Sequence, residues 1–144
     1  MTRRRLMGLV LLAGSLGACA QEPAGDQWLG EAACVAGQCV VTSDERRVQM
    51  TLPETVPAMQ SFALALQLDG FAAVRDVVVD FGMAEMDMGQ NRYRLEAVDS
   101  SRWHGQAILP VCLSGRSDWQ ADVAITTAGG VYRARFGFVV GRGE

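Results

Sequence analysis

Apolar and polar residues alternate with period two in segment after segment, turn residues separate the segments, and no stretch carries helical apolar spacing. Those three observations predict an all-β fold for residues 34–144. A half-buried face on each of about seven strands needs a second sheet to cover it, so an immunoglobulin-like antiparallel β-sandwich is expected. Residues 39–42 and 46–52 form an opening pair. Residues 59–68 put Phe62, Leu64, Leu66 and Leu68 on one face, and residues 74–81 do the same with Val77, Val79 and Phe81. In 91–98, Tyr93, Leu95 and Ala97 alternate with Arg92, Arg94 and Glu96. Residues 102–111 follow the turn Asp99-Ser100-Ser101. Trp119, Ala121, Val123 and Ile125 share a face in 118–126, and Tyr132, Phe136, Phe138 and Val140 share one in 131–140. Gly129-Gly130 reads as the hairpin turn between these last two.

The N-terminal residues are read as targeting rather than fold. Arg3, Arg4 and Arg5 precede an apolar run from Leu6 to Leu16, and Gly17, Ala18 and Cys19 follow. This is a secretory signal, too short to span a membrane as a mature helix. Leu16-Gly17-Ala18-Cys19 resembles the bacterial lipobox, which implies a signal peptide over 1–18 and lipid on Cys19. Ala20 in the next position implies outer-membrane sorting by the same resemblance. Residues 19–33 are small, polar and proline-containing where they begin, and are expected to tether the lipid to a domain at 34–144. The expectation is a monomer anchored in the cell envelope by lipid and facing the periplasm.

Without the three leader arginines, ten arginines face sixteen acids, a net charge of −6. An acidic domain without a basic patch is a poor nucleic-acid binder. Enzyme signatures are also missing. A single histidine, His104, excludes a His-rich zinc site, Ser114 sits in no nucleophile elbow, and no glycine-rich phosphate loop is present. The chain is read as not an enzyme.

The chemistry-bearing stretch is residues 82–91, GMAEMDMGQN, which places Met83, Met86 and Met88 within six positions. Thioether sulfur is soft and polarizable and prefers monovalent copper to hard cations. In extended chain, the sulfurs of Met86 and Met88 point the same way. Exposed methionines also cap sandwiches or pack on partners, and Met50 and Met59 are read as ordinary strand residues. Pairing 91–98 with 102–111 across the Asp99–Ser101 turn, and extending that register, brings Met88 opposite Cys112 or Ser114. The same register keeps His104 roughly 25–35 Å from Met88 along the strand. With Cys19 lipidated, three cysteines remain, which allows one bridge and one free thiol. Either Cys34 pairs with Cys39 and leaves Cys112 free, which is favoured, or Cys112 bridges one of them.

Met86-Asp87-Met88, Trp103-His104-Gly105, Leu113-Ser114-Gly115 and Asp118-Trp119 together resemble the core of exported bacterial YtkA-like or FixH-like domains, over about residues 75–140. Such domains are β-sandwiches, several of them associated with copper handling or cytochrome oxidase assembly. The resemblance implies Met86 and Met88 as ligands, and Met83 and Cys112 join them on the residues of this chain. It departs from copper chaperones that pair histidine with methionine, which favours Cu(I) over Cu(II). The expected function is a membrane-anchored periplasmic Cu(I) chaperone or scavenger, handing its ion to a copper acceptor or oxidase-assembly protein. The alternative is a structural or protein-binding lipoprotein of the envelope without metal.

Overall fold

The computed structural model describes residues 25–141; the expected signal peptide over 1–18 and lipidation of Cys19 lie outside the described residues. Eleven strands follow one another: β1 (Gln27–Ala33), β2 (Gln38–Ser43), β3 (Arg46–Thr51), β4 (Val56–Pro57), β5 (Phe62–Asp69) and β6 (Val74–Gly82), then β7 (Arg92–Arg94), β8 (Glu96–Ala97), β9 (Arg102–Ala107), β10 (Asp118–Thr127) and β11 (Gly130–Gly141). They form two sheets, β1-β11-β10-β6-β7 with β4 also on β11, and β2-β3-β5-β9-β8. The all-β sandwich is thus the architecture of the chain, and no helix occurs among the described residues.

Period two in the sequence becomes burial on alternate sides. Phe62, Leu64, Leu66 and Leu68 of β5 face Trp119, Ala121, Val123 and Ile125 of β10 and Tyr132, Ala134, Phe136 and Phe138 of β11 across one continuous core. Burying each large apolar side chain contributes about 1.5–3 kcal/mol. At the centre, the Phe81 ring meets Phe62 from the other sheet, with Tyr93 and Phe138 from its own, at centroid distances of 6.1, 5.9 and 5.8 Å.

Three differences from the expected seven strands have physical causes. The tether was expected to run to residue 33, but Gln27–Ala33 is strand β1, laid parallel against β11 from Tyr132 to Gly137. It fills the free edge of a β11 that would otherwise expose unpaired backbone. Residues 91–98 do not form one strand. Arg92–Arg94 pairs with β6, and Glu96–Ala97 pairs with β9, because buried Leu95 carries the chain from one sheet to the other. The expected register against β9 holds only for Glu96↔His104 and Ala97↔Trp103. Finally, Met59 is not a strand residue: it follows the short β4 with a left-handed backbone, φ +58°, and is 64% exposed. Met50 lies buried on β3.

The crossing from β1 to β2 is covalently closed. Val35 and Gln38 exchange backbone hydrogen bonds of 2.9 Å in both directions around Ala36 and Gly37, whose positive φ values of 48° and 77° make a two-residue hairpin turn. One step outward, Cys34 and Cys39 face each other and form the disulfide. Closing so short a loop restricts the unfolded chain only modestly. Cys34→Ala with Cys39→Ala is therefore expected to lower unfolding free energy by about 2 kcal/mol, read as a shift in urea midpoint at unchanged slope.

Candidate metal centre

The register of β6 with β10 sets the location of the site. Gly82 pairs with Gln120 and Phe81 with Ala121, so residues leaving β6 run antiparallel past residues entering β10. The methionine segment and the Cys112 segment therefore meet at one end of the sandwich. The hairpin register expected from sequence is not what brings them together, since Arg92–Arg94 belongs to the other sheet.

Beyond Gly82 the chain turns at once. The Met86 N–H donates to the Met83 carbonyl at 3.3 Å, with Glu85 in the left-handed region at φ +60°. The acids and glycines of the stretch serve the loop that follows. Asp87 Oδ1 accepts from the Gly89 N–H at 2.9 Å, Asn91 Nδ2 donates to the Met88 carbonyl at 2.9 Å, and the Phe81 N–H donates to the Asn91 carbonyl at 2.9 Å. Met86 and Met88 lie outside any strand, with exposed Asp87 between them. Met83 is buried in the core, while Met86 and Met88 are half-buried against it.

On the other side, Cys112 opens a turn closed by the Gly115 N–H on the Cys112 carbonyl at 3.0 Å. Its thiol is free and buried. Cys112 Sγ stands 4.0 Å from Met86 Sδ and 3.0 Å from Ser114 Oγ. The Ser114 hydroxyl, then the Ser114 and Arg116 backbone N–H groups and the Arg116 guanidinium, hold the thiol below its usual range against the opposing effect of burial. Donors aimed at sulfur favour the thiolate, the form that binds metal.

Arg116 fastens the two segments. Its guanidinium grips Asp118 in a two-point pair of 3.0 and 2.6 Å, and its remaining NH group donates to the Ala84 carbonyl at 3.1 Å. That last bond ties the tip of the methionine turn to the Cys112 loop. Cys112 also lines an open cleft of about 550 Å³ with Met59, Pro110, Val111, Trp119 and Val140.

The structure thus brings Met86 to Cys112, buries Met83 in the core, and leaves Met88 on the loop that follows. His104 is elsewhere. It is exposed on β9, with Nε2 4.0 Å from Glu96 Oε2. Among the described residues no three His, Cys, Asp or Glu side chains gather as a metal site. Ser114 and Arg116 are neighbours of the thiol that sequence reasoning missed, and Met59 lines the cleft that Cys112 also lines. Ser114 two residues from Cys112 was the one available signal, because a tight turn returns a hydroxyl at that spacing.

No protein-family model matches the chain, and no curated protein matches it. Among solved structures it is similar to the human F-spondin reeler domain (fragment 1), at a TM-score of 0.48 and 8% identity, over 77% of this chain and 95% of that one. Similarity at that level transfers no function.

Proposed function

We propose that the protein binds Cu(I) through Cys112 and Met86, with Met83 and Met88 as neighbouring thioethers, and that it is a lipid-anchored copper chaperone or scavenger of the periplasm. The reading rests on one observation, the 4.0 Å separation of Cys112 Sγ and Met86 Sδ. Two sulfurs each about 2.3 Å from a shared ion, an ordinary metal–sulfur bond, stand about 4.0 Å apart when they subtend about 120° at it. A thiolate with a thioether is a soft donor pair that suits Cu(I). The resemblance to YtkA-like and FixH-like domains agrees with this reading, and so does the disulfide, which belongs to an oxidising compartment.

An anaerobic competition against a chromophoric Cu(I) chelator tests the proposal. Wild type is expected to take up one equivalent, and Met86→Leu with Met88→Leu to weaken binding about tenfold or more. Unchanged affinity in that variant removes the methionines from the site.

The exposure of Val111 and Leu113, which flank Cys112, favours a second reading. An apolar rim of this kind suits contact with a protein partner whether or not metal is present. If wild type takes up no Cu(I), this protein-binding reading is the one that remains.

A further inference from the structure

From the cleft beside Cys112 we infer that Met59 is a further sulfur donor, serving the ion from the open side of the site; this rests on the Cu(I) reading above. Met59 lies far from the methionine stretch in sequence, and β4 carries it there. Val56 and Pro57 pair in parallel with Val140 and Gly141 at the end of β11, and the Met59 N–H donates to the Leu109 carbonyl at 2.9 Å. Those bonds fix its backbone next to the segment that leads into Cys112.

Two features of Met59 are unexplained by packing. Its φ of +58° lies where side chains other than glycine are disfavoured. Its side chain is 64% exposed, so burial offsets little of that strain. Both follow if the thioether is needed at the mouth of the cleft, which it lines with Cys112. Met86 approaches Cys112 by direct sulfur contact and is not among the cleft residues. Cys112 is thus shared between the Met86 contact and the cleft that Met59 lines.

The walls of that cleft suit the chemistry. Pro110, Val111, Trp119 and Val140 are apolar, and Gln60, Arg116 and Ser117 form the polar part of the lining. Binding replaces the Cys112 S–H bond by an S–Cu bond and releases the proton to water, with no change in oxidation state. A Cu(I)–thiolate pair is neutral, and neutral thioethers complete its coordination without adding charge to low-dielectric surroundings. Met59, exposed beside the cleft, is the donor an incoming ion meets first and a departing ion leaves last.

The test uses the full chain with its disulfide intact, ascorbate to hold copper reduced, and Ag(I) as a redox-inert probe. With ¹³C-methyl methionine labelling, Ag(I) is expected to shift the Met59 and Met86 methyl signals and leave buried Met50 in place. Met59→Leu is expected to weaken Cu(I) binding about tenfold. Met59→Gly suits the left-handed backbone and is expected to weaken binding equally while its melting temperature holds or rises, a pairing that a purely structural role cannot produce. If wild type binds Cu(I) but both variants bind as tightly and the Met59 methyl stays still, Met59 is no ligand and the Cys112–Met86 site stands. If wild type binds no Cu(I), both inferences fail together.

Discussion

Phe81→Ala is expected to destabilise the domain by about 3–5 kcal/mol, the usual cost of truncating a buried aromatic. Phe81 is 1% exposed and touches three other rings, one of which belongs to the opposite sheet. Alanine there removes the ring from the middle of the sandwich, where two paired sheets cannot close around the void. Against a typical total stability of about 5–15 kcal/mol, that loss is a large fraction. Urea unfolding should report it as a lower midpoint with an unchanged slope. Phe81→Leu keeps part of the volume and should cost less. The substitution should also reach the proposed site, because Phe81 is two residues from Met83 and its N–H closes the loop on Asn91. Cu(I) affinity is therefore expected to fall although no donor atom has changed. A loss below about 1 kcal/mol would mean that the ring cluster does not organise this core.

Cys112→Ser is expected to produce the largest change in metal binding, a loss of about a hundredfold or more, above the 10–100-fold that outer-shell partners are worth in metal sites. The thiol is the only anionic donor in the set, and the remaining sulfurs are neutral. The pH dependence should change with it. Below the thiol pKa each bound Cu(I) must displace a proton, so wild-type affinity should fall about tenfold per pH unit there and flatten above it. Because the folded thiol titrates below its usual range, the flat region should begin at lower pH than for an unstructured cysteine peptide. In Cys112→Ser that slope should vanish, since thioethers do not titrate. The same shift affects stability without metal. The folded thiol loses its proton before the unfolded one does, so the contribution is present in full above the unfolded pKa and disappears as pH falls through the folded value. Chemical denaturation across that window should show stability rising with pH in wild type and not in Cys112→Ser. An equal rise in both would assign it to another group.

Most of the strand pattern was legible because each strand keeps one side in the core. Residues 59–68, 74–81, 118–126 and 131–140 cover all but the ends of β5, β6, β10 and β11, and their expected inward residues are buried. Residues 27–33 gave no such signal. An edge strand packed along β11 buries little side chain, as the mixed exposure of β1 records, so its pattern reads like a tether. The break at Leu95 was equally hidden. The residue is apolar and inward in either arrangement, and only the choice of partner sheet separates β7 from β8.

The sequence by itself determined the chemistry available to this protein: soft sulfur donors, one histidine, an acidic surface and alternating strands. Local composition carries that information, because side-chain type and period two do not depend on distant contacts. Only the tertiary structure decided which sulfurs meet. The distance between Cys112 and Met86 is set by how β6 pairs with β10, the place of Met59 by how β4 pairs with β11, and the free state of Cys112 by the hairpin that joins Cys34 to Cys39. Strand pairing is non-local, so one stretch of chain can sit beside either of two partners with the same inward face.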